Sequence, residues 1–197
     1  MPRVTQAHRD SRRDEIVSAA MVAFRRRGFQ AASMADIIAE SGLSAGAIYG
    51  HFASKSEIVT EVAQRVVGAR IDEAAVLIAA EQLQPPAYLA LTIMRGMLRD
   101  LGDAGMILQL WGEAVTEPTL RGLSRSVFHR LTDTYANYIS VWHQREHGET
   151  RERADDIAAS QVPLFVAVAQ GFIVQSALAP GFDADRYFES VLHNLPR

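Results

Sequence analysis

Residues 33–55 read SMADIIAESGLSAGAIYGHFASK, and this stretch decides the fold. Ser33 precedes the apolar Met34, Ile37 and Ile38, and Asp36 stands three positions after it. A cap hydroxyl and a side-chain acceptor at that spacing satisfy each other's backbone donors, so a helix is expected over residues 34–40. Gly42 can take the left-handed conformation that stops it. Ser44 then caps another helix only two residues later. Two short helices joined by Ser41-Gly42-Leu43-Ser44 make a helix-turn-helix. In that unit the second helix enters the DNA major groove.

The second helix has a bare start and a crowded end. Ala45, Gly46, Ala47 and Gly50 let the backbone approach DNA closely. The alanine methyls can touch thymine methyls, but they make no bidentate hydrogen bonds to base edges. Tyr49 and His51 carry polar tips that reach phosphates, and Phe52 packs inward. Lys55 opens the next helix, where free N–H groups and the dipole already favour an anion. Ser33 and Ser44 stand at similar N-termini. The expected DNA-contacting set is therefore Ser33, Ser44, Ala45, Gly46, Ala47, Tyr49, Gly50, His51 and Lys55. Base readout from so bare a helix is thin. Specificity leans on DNA shape and on arm residues Arg3 and Arg9 entering a minor groove. The plainer alternatives are that the serines only cap, that His51 only packs, and that Arg25-Arg26-Arg27 is a solvated helix end favoured by the dipole.

Working outward, helical periodicity continues in both directions. Ile16, Val17, Ala19, Ala20, Ala23 and Phe24 mark a helix from about Ser11, its cap, to Arg27. Ser54 and Glu57 form a capping box that opens a long helix to about Gln82. Further helices are expected over 88–101, 104–116, from Pro118 to before Gly148, over 153–179, and from Asp183 or Asp185 onward. Pro163 falls inside the eighth and should kink or break it. No segment alternates with period two. The fold class is all-α, with about nine helices.

The 197 residues are 48% hydrophobic and 22% charged, ordinary for a globular protein. There is no cysteine, which excludes disulfides, thiol catalysis and cysteine-bound zinc. The net charge of −3 hides an asymmetry. Residues 1–55 carry +3 and residues 56–197 carry −6, a basic front end on an acidic body. No secretory signal or membrane-length apolar run is read, so the expected location is the cytoplasm. His143 and His147 share a helix face, but no third ligand accompanies them. They read as exposed polar residues, and no metal or cofactor is expected. No catalytic constellation is present, so an enzyme is not expected.

Gly28-Phe29, Ser33 to Ala39, Ser41 to Ser44, and Ile48-Tyr49-Gly50-His51-Phe52-Ala53-Ser54-Lys55 together resemble the N-terminal domain of the TetR family of bacterial transcriptional regulators. The likeness covers about residues 11–60. Ala32 departs from it where threonine is common, and Gly50 where a larger residue is. The resemblance implies residues 1–54 as a DNA-binding domain with an N-terminal arm. It implies residues 55–197 as a ligand-binding and dimerisation domain. It also implies a cavity among helices four to eight. The candidate lining is Met94, Met97, Met106, Leu110, Trp111, Tyr135, Tyr138, Phe165 and Phe172, with Gln109, Gln161 and Gln175 to orient a ligand. Helices eight and nine are implied as the dimer surface, through Phe172, Ser176, Ala177, Phe188, Val191 and Leu195.

The expected function is a homodimeric repressor on a pseudo-palindromic DNA operator, released when a small, mainly apolar effector binds. The alternative is a regulator or architectural protein whose body docks a protein partner. Activation in place of repression stays open at this point.

Overall fold

The computed structural model describes residues 6–196. Helix α1 spans Gln6–Arg27 and buries Ile16, Val17, Ala19, Ala20, Ala23 and Phe24. It begins earlier than the sequence predicts, because its first turns are polar and exposed and carry no apolar signal. Ser11 is therefore inside the helix and not its cap. Arg9 is likewise helical and not part of an arm, while Arg3 lies outside the described residues.

Helix α2 spans Met34–Ser41 and α3 spans Ala45–Tyr49. The reciprocal cap is formed: Ser33 N–H donates to Asp36 Oδ2 at 2.9 Å, and Asp36 N–H donates to Ser33 Oγ at 3.3 Å. Gly42 closes α2 at φ 67°, a left-handed conformation that favours glycine. Ser44 Oγ accepts from Ala47 N–H at 3.2 Å and starts α3. Helix α4, Lys55–Ala79, is capped by Ser54, whose Oγ accepts from Glu57 N–H at 3.3 Å. Glu57 reaches back one residue beyond the cap, to Ala53 N–H at 2.7 Å.

The body consists of α5 (Pro86–Leu101), α6 (Ala104–Ala114), α7 (Pro118–His147), α8 (Arg151–Leu178) and α9 (Ala184–Asn194). Nine helices and no strand occur among the described residues. Helix α8 runs unbroken through Pro163, so of the expected kink or break the break does not occur. Pro163 and Ala159, whose carbonyl loses its partner, are both exposed, so water can satisfy that carbonyl. By length and apolar composition α8 could cross a membrane. Here it packs against α5, α6, α7 and α9.

Two main cores stack along α4. The first joins Ile16, Phe24, Phe29, Ile37, Ile48 and Phe52 to Ile58, Val59, Val62 and Val66 of α4, and also takes in Leu120 and Leu123 of α7. The second joins Ala74 of α4 to Ile93, Tyr135, Tyr138, Trp142, Phe165, Phe172 and Phe188. Each large apolar side chain buried this way contributes about 1.5–3 kcal/mol. One helix thus serves as a wall of both cores.

Between the cores, Arg70 of α4 is fully buried. Its Nη1 donates to Asp100 Oδ2 at 2.9 Å and its Nη2 to Glu73 Oε1 at 2.9 Å. Its Nε is 2.9 Å from Glu73 Oε2, an ion-pair distance without hydrogen-bond alignment. Arg99 bonds the same Glu73 oxygen at 2.7 Å, and Arg25 at the end of α1 donates to the Asp100 carbonyl. The guanidinium fits only because residue 96 is glycine. A Cβ there would lie 2.4 Å from Arg70 Cζ.

Candidate nucleic-acid interface and effector cavity

On α3 the side chains separate cleanly. Ile48 is fully buried, and Phe52 just beyond the helix is nearly so, anchoring the helix to α1 and α4. Ala45, Gly46, Ala47 and Gly50 are exposed, and Tyr49 is 52% exposed. The outward surface therefore carries nothing larger than a methyl group except one phenol. His51 is half-buried beside it. Its carbonyl accepts from Arg13 Nη1 at 3.1 Å, and the Arg13 guanidinium lies 4.3 Å from the Phe52 ring centroid. Arg13, which also pairs with Glu61 of α4, clamps the end of α3 in place. Sequence reading missed it, since an arginine on a polar first helix looks like any solvated charge.

Two of the expected phosphate ligands are occupied internally. Ser33 Oγ donates to Asp36 Oδ2 at 2.7 Å while accepting from the Asp36 amide, so its hydroxyl is used in the cap. Ser33 bonding, with help from Arg27, holds the Asp36 carboxyl below its ordinary pKa. Lys55 Nζ donates to the carbonyls of Phe29, Gln30 and Ala32 at 2.6, 3.3 and 2.9 Å, and lies 4.4 Å from the Phe29 ring centroid. An ammonium has three N–H donors, and all three are taken. Burial lowers the Lys55 pKa, and Glu113 opposes that. The structure thus corrects the role read for Lys55. It ties α4 to the α1–α2 turn, where three carbonyls converge with no other donor to meet them. Lys55→Met, which keeps the apolar stem, should destabilise the fold by about 1–3 kcal/mol. A lysine serving phosphate alone would leave the melting temperature unchanged in thermal denaturation.

The Arg25-Arg26-Arg27 end of α1 is spent in contacts within the chain. Arg26 pairs with Glu40 at 3.0 Å, Arg27 with Asp36 at 3.2 Å, and Arg25 with the Asp100 carbonyl.

A cavity of about 700 Å³ lies where the two cores meet. Its walls include Val59, Val62, Val66 and Val67 of α4, Met106, Leu110 and Trp111 of α6, one face of α7, parts of α5 and α8, and Phe24 and Phe29 at the end of α1 and just after it. Of the residues expected to line it, Met97, Met106, Leu110, Trp111 and Tyr135 do. Burial raises the Tyr135 pKa, and its hydroxyl and that of Ser124, also in the wall, have no partner among the described residues.

The other expected lining residues are elsewhere. Met94, Phe165 and Phe172 are buried in the second core. Tyr138 is also there, donating to the Gln84 carbonyl at 2.9 Å, with its pKa pushed up to about 12 by burial. Gln175 is exposed, and Gln161 sits outside the wall. Gln109 points to the α1–α2 turn, where its Oε1 accepts from Gln30 N–H at 3.2 Å. His143, read as exposed, is buried against Trp142, ring centroids 4.9 Å apart, and burial and His147 lower its pKa.

Four of the six residues expected on the dimer surface lie in the chain's own core. Phe172, Phe188, Val191 and Leu195 all face the chain's own core, with Phe172 and Phe188 stacked at 5.0 Å. An amphipathic helix such as α9 buries its apolar stripe in its own domain first. Ser176 and Ala177 are half-buried, and Ala177 packs on the small cluster of Ala104, Ile107 and Ile173. The exposed apolar stripe is instead on α8: Leu164, Ala167, Val174 and Leu178, at spacings of three, seven and four, with Gly171 half-buried between. Leu178 is 70% exposed.

Residues 16–62 match the family described as bacterial regulatory proteins, tetR family. The chain is 39% identical over 72 residues to the uncharacterized HTH-type transcriptional regulator YfiR of Bacillus subtilis (strain 168), covering 36% of this chain and 33% of that one. It is 42% identical over 52 residues to the HTH-type transcriptional repressor KstR2 of Mycolicibacterium smegmatis, covering 26% and 25%. The matched stretch thus spans a third or less of these relatives. Among solved structures, Salmonella enterica GusR superposes with a TM-score of 0.68 at 17% identity, covering 98% of this chain and 97% of that one. That likeness shows the fold.

Proposed function

From the match of residues 16–62 to the tetR family of bacterial regulatory proteins, we propose that the chain is a homodimeric, cytoplasmic transcriptional repressor released from DNA by a small effector. DNA binding and transcription regulation are read from the family that residues 16–62 match. Repression, effector response and dimerisation are the further reading. It treats residues 1–54 as the reader and residues 55–197 as sensor and dimer body.

The observation that carries the reading is the place of the cavity. Helix α6 presents Met106, Leu110 and Trp111 to it, while Gln109 of the same helix holds the α1–α2 turn. Phe24 and Phe29 of the reading end are in its wall. A molecule filling this space contacts α4, α6 and the base of the reader at once. Any rearrangement is then transmitted to α3, and the arrangement that fits two half-sites loses population. The readout set we propose on DNA is the exposed surface of Ser44, Ala45, Gly46, Ala47, Tyr49 and Gly50, with His51 at its edge.

Two copies are required, because one bare α3 reads too little, whereas two spaced along a duplex read a pseudo-palindrome. We place the contact on the α8 stripe, whose near-heptad spacing suits packing against a second copy. Leu178→Arg together with Val174→Arg should turn a dimer into a monomer in sedimentation. The same pair should weaken palindromic-duplex binding at least about a hundredfold, since losing coupled half-sites forfeits the effective concentration of the second. A double variant that still sediments as a dimer would place the interface elsewhere.

A further inference from the structure

The cavity wall is uneven in charge. It contains Arg121, Arg125 and His129, and neither an aspartate nor a glutamate. All three stand on the first half of α7. Arg121 is committed, donating to the carbonyls of Ala114 and Val115 at the end of α6. Arg125 and His129 are exposed, one turn apart on the same helix face, and have no side-chain partner among the described residues. The nearest acidic residue along that helix, Asp133, is exposed and outside the wall.

Along α7 the wall then changes character. Phe128 is half-exposed, Leu131 is half-buried and Tyr135 is 1% exposed. From Arg125 to Tyr135 a helix advances about 15 Å. An extended chain advances about 1.2 Å per bond, so about twelve bonds cover that distance. The α4 wall is wholly aliphatic: Val59, Val62, Ala63, Val66 and Val67. A cavity of about 700 Å³ is within the usual range for such ligands.

We propose that the cavity takes an anionic amphiphile: an aliphatic chain of about ten to fourteen carbons, held by α4 and α7, with a carboxylate or phosphate head at Arg125 and His129. The inference rests on the cavity being the effector site. A cationic head would meet the Arg125 guanidinium and no acid. A neutral chain would fill the apolar part and leave Arg125 without its counter-ion. A guanidinium suits either anionic head, because its fork pairs with both in bidentate geometry.

The test is calorimetry on the full chain, below micellar concentrations, with four probes of equal chain length: dodecanoate, dodecyl phosphate, dodecan-1-ol and dodecyltrimethylammonium. Trp111 in the wall provides a fluorescence readout of occupancy. At least one anion should bind about tenfold or more tighter than the alcohol and the cation. The tighter anion identifies the head group. Arg125→Ala should weaken the anions about tenfold and leave the alcohol unchanged. Equal binding of alcohol or cation, or an unaffected Arg125→Ala, overturns the anionic class while leaving the cavity as the effector site. If no probe binds and Trp111 fluorescence does not move, the effector reading of the cavity fails as well.

Discussion

Arg70→Ala is expected to cost about 3–5 kcal/mol of folding stability. The guanidinium is fully buried, and its removal leaves Glu73 and Asp100 with only the exposed Arg99 between them and opens a void between α4 and α5. Arg70→Met keeps most of the volume and should recover part of that loss. Gly96→Val should be as damaging as Arg70→Ala, because its Cβ would overlap the guanidinium. Urea unfolding followed by circular dichroism gives all three values. A change under about 1 kcal/mol for Arg70→Ala would mean that the second core alone sets the spacing of α4 and α5. The network also reaches Arg25 at the base of the reader, so the intact remainder of a destabilised variant should respond less to effector.

Ala47→Glu should abolish duplex binding, by more than about a hundredfold, while leaving the fold as stable or slightly more so. Ala47 is exposed, third in α3 after the Ser44 cap, and its amide donates to Ser44 Oγ at 3.2 Å. Glutamate at that position completes a capping box, so the helix gains. The same carboxylate would point at the phosphate-rich groove the helix is read to enter, and like charges meet there at close range. The pairing of unchanged melting temperature with lost binding, read by fluorescence anisotropy, separates a role in contact from a role in folding. Equal loss of both would remove Ala47 from the interface.

The caps were the most legible part of the sequence because they are local. Ser33 with Asp36, Gly42, Ser44 and Ser54 act over three or four residues, and the structure forms each of them. What a cap residue does beyond capping is not local. Lys55 looks like a phosphate ligand until Phe29, Gln30 and Ala32 are brought against it from more than twenty positions away. Arg70 gave no signal at all, since its burial depends on Gly96 and Asp100 in another helix. Cavity and core share one periodicity: Leu110 and Met94 occupy similar helix faces, and only the packed fold shows that one borders empty space. Helix α8 is apolar on most sides, so its pattern could not say that Phe165 and Phe172 turn inward while Leu164 and Leu178 turn out. The start of α1 was missed for the opposite reason, a polar stretch with no stripe to read.

A dimer of this chain is expected to read a two-fold duplex through a sparsely decorated helix. Selection of bound duplexes from a random pool, followed by the salt dependence of the best binder, tests it most directly. The expected result is a pseudo-palindrome with few fixed bases per half-site and an affinity that falls with salt. Sequences with no two-fold symmetry, or no enrichment over the starting pool, would contradict it.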